Sequence, residues 1–298
     1  MLNLNSNINI FALSRRIKRP LILDGAMGSL LQQKGVPVDN DLWMSLANQS
    51  HPEIVLETHR EYIKAGADII TTNTFRTNPA VIKESENINS AEKLVIPALE
   101  IARQAIGDLP VLIAGSNPPS EDCYKVERIL SNRELELNHK RHINLLYENG
   151  AHFVLNETQS HFDEIKIISE YCDRNEIPYV MNIFFNDELK ILSGEKLNEV
   201  LAFLKDSDAL AVGFNCILPL TMAKTKRRVK MPENWGIYLN CGDGSFTDSD
   251  IKCDISPTVY TEEISSYLSN NPSFVGACCG SSPEHIKSIK KLLDERNS

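Results

Sequence analysis

The segment Gly276-Ala277-Cys278-Cys279-Gly280-Ser281-Ser282-Pro283-Glu284-His285, near the C-terminus, decides the interpretation of this chain. Two adjacent cysteines follow a short apolar run and precede a helix start, since Ser282 is a favourable N-cap residue and Pro283 is favoured at the first helical position. Earlier in the chain, Gly213-Phe214-Asn215-Cys216 ends another apolar run in the same way. Three thiols from two strand ends can form a three-sulfur zinc site whose fourth position stays open, as in catalytic zinc sites.

Eight apolar, β-branched runs alternate along the chain with longer amphipathic stretches. Their near-continuous apolarity, without strict alternation, is typical of strands buried on both faces and hence of a parallel sheet. Each run is followed by a helical pattern or a long connection, and this order predicts a (β/α)8 TIM barrel in a single domain. The runs are 21–24, 68–72, 111–114, 152–155, 179–183, 210–213, 236–239 and 274–277.

A doubly wound open sheet is the alternative architecture. It would require a glycine-rich nucleotide-binding turn after the first strand, and Asp24-Gly25-Ala26-Met27-Gly28 matches that fingerprint poorly. No linker rich in Pro, Gly or Ser divides the chain. We therefore expect one barrel domain over residues 19–298, preceded by an N-terminal extension over residues 1–18.

The overall composition is that of a globular protein, with 298 residues of which 42% are hydrophobic and 24% are charged. A formal net charge of −9 predicts no general nucleic-acid surface. No stretch approaches the ~18 consecutive apolar residues of a membrane helix, and the N-terminus lacks the charge order of a secretory signal. Seven cysteines, an odd number, argue against a disulfide framework. We expect a cytoplasmic protein that acts on small molecules, with neither nucleic-acid nor membrane partners; its oligomeric state stays open.

The strand ends carry polar and sulfur residues, and catalytic residues of such barrels lie at the C-terminal ends of the strands. Adjacent strand residues point to opposite faces, so Cys278 and Cys279 can reach one metal only if the chain bends, and Gly280 allows that bend. Cys241 is predicted to line the same pocket without binding the metal, because a fourth protein sulfur would occupy the open coordination position. The strand-end residues are Asp24, Asn73, Ser116, Glu157, Cys216, Asn240, Cys241, Cys278 and Cys279.

The remaining polar candidates are carboxylates, histidines and isolated cysteines. Asp24 and Glu157 close the first and fourth strands, and together they suit a substrate with an ammonium group; the alternative for each is a helix cap. The histidines have no metal-binding spacing and none ends a strand, so we place them on helix surfaces or in loops. Cys123, Cys172 and Cys253 are predicted to be buried apolar thiols.

Taken together, these motifs resemble the homocysteine S-methyltransferase family, in the family's order and from about Pro20 to the last helix. The resemblance implies a barrel in which Cys216, Cys278 and Cys279 bind Zn²⁺ and form the catalytic centre. It also implies that Asp24 and Glu157 hold the homocysteine ammonium group, with Gly25 and Asn73 in the same substrate-binding set. The motifs are Leu23-Asp24-Gly25-Ala26-Met27-Gly28, Ala65-Gly66-Ala67-Asp68-Ile69, Thr72-Asn73-Thr74-Phe75, Asn156-Glu157-Thr158, Gly213-Phe214-Asn215-Cys216 and Gly276-Ala277-Cys278-Cys279-Gly280.

The donor side departs from parts of this family. Arg76 stands where betaine-using members have an aromatic residue, and a cation there repels a quaternary ammonium instead of offering a cation–π face. Asp41-Leu42-Trp43 resembles the segment of members that use S-methylmethionine or S-adenosylmethionine. The methionine synthase branch takes its methyl group from cobalamin carried on further domains, which this sequence does not contain. We predict methyl transfer from a sulfonium donor, S-methylmethionine before S-adenosylmethionine, to homocysteine, giving methionine.

Other hypotheses stay open. A zinc-stabilised barrel without catalysis, acting as a binding or regulatory protein, would require four protein ligands, for example through Cys241. A methyltransferase using betaine or a cobalamin partner is a further alternative, and selenocysteine is a related acceptor. A zinc hydrolase would prefer His and carboxylate ligands, which the strand ends do not supply in suitable numbers.

Overall fold

Eight parallel strands form the centre of the molecule in the computed structural model, which describes residues 9–86, 88–243 and 251–297. Neighbouring strands follow the order β1-β10-β7-β6-β5-β4-β3-β2, and a parallel bridge between Leu23 and Ile69 joins the two ends of this order. The sheet therefore closes into a (β/α)8 barrel, as predicted. The barrel strands are β1 (Leu21–Ile22), β2 (Ile69–Thr71), β3 (Leu112–Asn117), β4 (Phe153–Gln159), β5 (Tyr179–Ile183), β6 (Ala211–Asn215), β7 (Trp235–Leu239) and β10 (Phe274–Ala277).

Helices surround the barrel, and a short antiparallel pair, β8 (Gly242–Asp243) with β9 (Lys252–Cys253), follows β7. The helices are α1 (Ile10–Ile17), α2 (Met27–Gln33), α3 (Ala47–Ser50), α4 (Pro52–Ala65), α5 (Pro79–Glu84), α6 (Glu92–Ile106), α7 (Asn132–Glu148), α8 (Phe162–Arg174), α9 (Leu197–Leu204), α10 (Pro219–Ala223), α11 (Pro257–Ser265) and α12 (Pro283–Asn297). Two 3-10 turns cover Lys224–Arg227 and Leu268–Asn270. Of the helices described, none is long and apolar enough to cross a membrane.

The strands are buried on both faces, and this explains their continuous apolarity. On β4, Phe153 and Leu155 belong to a cluster in the barrel interior, whereas Val154 belongs to the larger cluster between the strands and the helices. Alternate residues of one strand thus enter two different cores. Neither face requires a polar residue until the strand reaches the end of the barrel.

Helix α1 covers the amino end of the barrel, within the segment expected to be an N-terminal extension. Its residue Ile10 is fully buried among interior residues at the strand starts, and Leu13 and Ile17 pack partly buried against the same cluster. The Asn9 side chain accepts a hydrogen bond from Ala12 N at 3.0 Å and begins the helix. The barrel interior is therefore covered at this end, and the opposite end is left for the site.

The seam between β1 and β2 is closed partly by a side chain. The backbone contributes the bond from Asp24 N to Ile69 O at 3.0 Å. Beyond it, the Asp24 carboxylate accepts hydrogen bonds from Thr71 N at 2.7 Å and from Thr71 Oγ1 at 2.8 Å. A carboxylate thus replaces the strand carbonyl that β1 is too short to supply.

Candidate metal centre and substrate cavity

The three cysteines predicted as metal ligands come together at the C-terminal end of the barrel. Cys216 Sγ lies 2.8 Å from Cys278 Sγ and 3.4 Å from Cys279 Sγ, and the sulfurs of Cys278 and Cys279 lie 4.0 Å apart. Two thiolates on one tetrahedral zinc, with Zn–S near 2.3 Å, would be about 3.8 Å apart. Small shifts of the sulfurs would therefore allow all three to bind one ion.

Two backbone bends aim these sulfurs at one point. Cys216, the residue after β6, adopts the left-handed conformation with φ 56°. Gly280, with φ 78°, turns the chain after Cys279, and a Cβ atom at this position would lie 2.5 Å from Gly242 Cα. The bend expected at Gly280 is present, and only glycine fits there without displacing backbone.

Hydrogen bonds within the cluster lower the pKa of one of the three thiols. Cys278 and Cys279 donate to Cys216, and together with a hydrogen bond from Tyr124 they hold the pKa of the Cys216 thiol well below its usual range. The pKa values of Cys278 and Cys279 are raised, first by their hydrogen bonds with Cys216. A soft donor set of three cysteine sulfurs fits a zinc ion.

Cys241 does not line this cavity, so that part of the sequence prediction is wrong. Its side chain is fully buried, and its Sγ is directed back to Leu239 O at 3.7 Å. Its backbone N instead donates to Cys279 O at 2.8 Å. In the described part of the chain, the group able to hold a metal consists of Cys216, Cys278 and Cys279.

The other isolated cysteines follow their prediction where they are described. Cys123 and Cys172 are free and buried, and burial raises the pKa of each thiol. The side chain of Cys253 lies outside the described residues. Neither Cys123 nor Cys172 belongs to the three-sulfur group.

Two carboxyl groups border the cavity beside the sulfurs. Burial raises the pKa of Glu157 to about 7, although Ser116 Oγ and Tyr238 OH both donate hydrogen bonds to it. Burial also raises the pKa of Asp24 to about 8, and the nearby charge of Glu157 adds to the effect. A cationic group bound next to them would favour the ionised form of both.

Gly25 and Asn73, the other predicted substrate-binding residues, also border the cavity. A Cβ atom on Gly25 would lie 2.6 Å from Ser281 Oγ and 2.8 Å from Tyr62 Cε1, so the position is too tight for a side chain. The Asn73 amide nitrogen donates to Met44 O at 2.8 Å and to Asn48 Oδ1 at 3.0 Å. Both residues shape the wall, and their contact with substrate stays a prediction.

The cavity has a volume of about 900 Å³, which accommodates two amino-acid-sized ligands together. Its wall carries far more acidic than basic residues, and several aromatic rings. The acidic residues are Asp24, Asp39, Asp41, Glu84, Glu121, Asp122, Glu127 and Glu157; the basic ones are Arg76 and Lys125; the aromatic ones are Trp43, Phe75, Tyr124 and Tyr238. This excess of carboxylates favours a ligand with net positive charge.

The connection between β3 and α7 carries a contact that sequence reasoning missed. Tyr124 lines the cavity and hydrogen-bonds Cys216, and its ring packs edge-on against Phe184 with centroids 5.2 Å apart. Ser160 Oγ donates to Cys123 O at 2.9 Å and holds the connection in place. No strand end or periodic pattern marks Tyr124, so only its place in a connection that follows a barrel strand could have suggested it.

Several histidines are buried, so their assignment to helix surfaces or loops is wrong for these positions. On α7, His139 Nε2 lies 2.6 Å from Glu164 Oε2, and His142 hydrogen-bonds Asn117 and Thr77. Their spacing of three residues places both on the buried face of the helix. On α4, His59 is fully buried, and neither ring nitrogen has a hydrogen-bond partner in the part of the chain that the structure describes.

The fold and the site together define a TIM barrel with a candidate three-thiol metal centre at the end where barrel enzymes place their chemistry. The model of the homocysteine S-methyltransferase family matches residues 21–293, and the chain belongs to this family. The predictions of the fold, the family and an S-methyltransferase are thereby confirmed.

Relatives of the chain carry consistent names. The chain is 24% identical to a selenocysteine Se-methyltransferase of Brassica oleracea var. italica, over 93% of this chain and 90% of the relative. It is also 24% identical to the homocysteine S-methyltransferase of Escherichia coli strain K12, over 91% and 94%. The crystal structure of the homocysteine methyltransferase MmuM from Escherichia coli, in its metallated form, superposes with a TM-score of 0.78 at 22% identity, over 94% and 99% of the two chains.

Proposed function

We propose that this protein is a zinc-dependent enzyme that transfers a methyl group from a sulfonium donor to the sulfur of homocysteine, producing methionine. The observation that carries the proposal is the convergence of Cys216, Cys278 and Cys279 beside two buried carboxyl groups in an acidic cavity. The sulfurs suit a metal that binds thiols, and the carboxylates suit the ammonium group of the same substrate. Family membership supports this combination.

Cys216, Cys278 and Cys279 would hold the zinc ion. When bound, zinc would supply ionisation of a substrate thiol at neutral pH, where a free thiol with a pKa near ~8.5 is only a few per cent thiolate. The close approach of these three sulfurs and the turn of Cys241 Sγ back to Leu239 O support an open fourth position. The same observation weakens the alternative of a non-catalytic barrel, because that alternative requires a fourth protein ligand.

Glu157 and Asp24 would bind and orient the homocysteine ammonium group. Ser116 and Tyr238 fix the Glu157 carboxylate, and Thr71 fixes that of Asp24. Both carboxylates are held in place before the substrate arrives. Little side-chain conformational entropy is therefore lost when the substrate binds. The thiol end of the same molecule then points to the three cysteines.

The reaction requires alignment more than acid–base chemistry. The homocysteine sulfur forms a bond to the donor methyl carbon while the bond from that carbon to the sulfonium sulfur breaks. The electron pair of the broken bond goes to the donor, which leaves as a neutral thioether and needs no proton. Holding both molecules in one cavity supplies the proximity on which such a displacement depends.

The charge of the cavity supports a sulfonium amino acid as donor. S-methylmethionine and S-adenosylmethionine each carry net positive charge at neutral pH, whereas betaine is a neutral zwitterion. The excess of carboxylates favours the first two, and the rings of Phe75 and Tyr124 offer cation–π contacts to a sulfonium. S-methylmethionine is our first choice because it needs no adenosine pocket. Selenocysteine is a second candidate acceptor, since a selenol reacts as a thiol does and relatives are named for it.

The test offers S-methylmethionine, S-adenosylmethionine and betaine in parallel to the zinc-loaded protein with homocysteine, and quantifies methionine. We expect the fastest formation from S-methylmethionine and little from betaine. A rate from betaine that matches or exceeds that from S-methylmethionine would overturn the donor assignment. Failure of all three donors, with zinc bound, would overturn the proposed function.

A further inference from the structure

Arg76 is a charged cavity residue for which the proposed reaction has no role. It lies in the connection between β2 and α5, is partly buried and lines the cavity. Its backbone N donates to Ser45 Oγ at 3.2 Å, which fixes this part of the connection. Its charge also acts on the buried Cys123, another residue of the cavity wall, and opposes the rise in the pKa of that thiol. The guanidinium is therefore on the cavity side of the connection.

Arg76 differs from the other partly buried arginines in having no carboxylate partner among the residues that the structure describes. Arg19 pairs with Asp68 at 2.5 Å, and Arg128 pairs with Asp163 and with Glu164. Across residues 9–86, 88–243 and 251–297, Arg76 forms no ion pair and no side-chain hydrogen bond. Partial burial of a guanidinium costs free energy when no anion replaces the lost water. The planar set of N–H donors on the guanidinium matches the geometry of a carboxylate.

The other basic cavity residue does not share this situation. Lys125 is 67% exposed and lies 3.8 Å from Asp122. Its charge is therefore both solvated and paired. Of the two cations on the described cavity wall, Arg76 is the one suited to bind an anionic group of a ligand.

We propose that Arg76 binds the α-carboxylate of the methyl donor and so selects, among sulfonium donors, those that carry this carboxylate. The inference rests on the proposed function and extends it to the donor's recognition. The acceptor's amino end is assigned to Asp24 and Glu157, whereas Arg76 shares its part of the wall with Phe75 and the first turn of α5. A donor carboxylate would offset the repulsion between Arg76 and the sulfonium. Glu84 and Glu121 line the same cavity, and their carboxylates would attract the donor ammonium.

The experiment compares S-methylmethionine with its decarboxylated analogue, (3-aminopropyl)dimethylsulfonium, in the wild type and in Arg76→Met. A charge-assisted hydrogen bond to a carboxylate predicts a roughly tenfold to hundredfold rise in the KM for S-methylmethionine in Arg76→Met. The kcat/KM for the decarboxylated donor should stay unchanged or rise, and the KM for homocysteine should stay unchanged. Lys125→Met, the control for loss of a cavity cation, should change neither donor's KM more than about twofold.

Three results would overturn the inference. They are an unchanged KM for S-methylmethionine in Arg76→Met, equal losses with both donors, and a rise confined to the KM for homocysteine. Each leaves the proposed function intact as long as the wild type forms methionine. If the wild type forms none, calorimetric titration of both proteins with S-methylmethionine still decides the inference, since binding should weaken about tenfold or more in Arg76→Met.

Discussion

Gly280→Ala tests whether the close approach of two backbone segments positions the cysteine pair. Gly280 has φ 78°, and an added Cβ would lie 2.5 Å from Gly242 Cα and 2.6 Å from Gly242 N. The left-handed conformation costs alanine roughly 1–2 kcal/mol. A clash with backbone cannot be relieved by a rotamer change, and overpacking of this kind adds about 1–3 kcal/mol. We therefore expect Gly280→Ala to lower the free energy of unfolding by about 2–5 kcal/mol.

The chain offers a matched control in Gly35→Ala. Gly35 has φ 84°, and nothing lies within 4 Å of a Cβ built there. This variant should lose only the conformational part, about 1–2 kcal/mol. The free energy of unfolding of each variant is measured by urea unfolding of the metal-free protein. The difference between the two variants gives the cost of the steric clash with Gly242.

Zinc affinity is the second measurement for this pair of variants. The clash pushes the chain after Cys279 away from Gly242 and moves Cys278 and Cys279 relative to Cys216. Competition with a chromogenic chelator should show about a 10–100-fold loss of zinc affinity in Gly280→Ala, and none in Gly35→Ala. Equal unfolding energies and equal affinities in the two variants would refute the reasoning.

Three further predictions concern other parts of the site and the core. Cys278→Ala should abolish activity and most zinc retention while Cys172→Ala changes neither, and full zinc content in Cys278→Ala would contradict the ligand assignment. Glu157→Gln should raise the homocysteine KM and lower kcat/KM about tenfold or more with zinc content unchanged; an unaltered KM would remove Glu157 from the site. Burial lowers the pKa of His59 from 6.5 to about 4. Between these two pH values, the unfolded state binds a proton at His59 that the folded state does not bind. The free energy of unfolding therefore falls as the pH falls through this range. His59→Leu should lessen that fall in urea unfolding, and an identical pH dependence would contradict the assignment.

The barrel could be predicted from the sequence because a strand that is buried on both faces consists almost entirely of apolar residues. All eight apolar runs form barrel strands. The meeting of Cys216 with Cys278 and Cys279 also followed, since parallel strands in a closed barrel end on the same side and Gly280 permits the required bend. These features depend on residue type and order alone.

Features that depend on side-chain direction could not be predicted in this way. Cys241 follows a strand as Cys216 does, yet its sulfur is turned back to Leu239 O. The contact of Tyr124 with Cys216 arises from a connection without periodicity. His139 and His142 are polar and yet occupy the buried face of α7, because Glu164 and Asn117 on other elements satisfy them. Such partners become visible only when distant segments are brought together.

The β1–β2 seam has a consequence for local unfolding. β1 is only two residues long, and the Thr71 amide is held by the Asp24 carboxylate instead of a strand carbonyl. Within a structure, segments with the fewest backbone bonds open at the lowest free energy, and amide hydrogen exchange reports that opening. Opening at this seam would separate Asp24 from Thr71 and so disassemble one wall of the substrate cavity. A ligand that binds only the closed form would slow exchange of the Thr71 amide in proportion to its occupancy, which makes that proton a reporter of cavity closure.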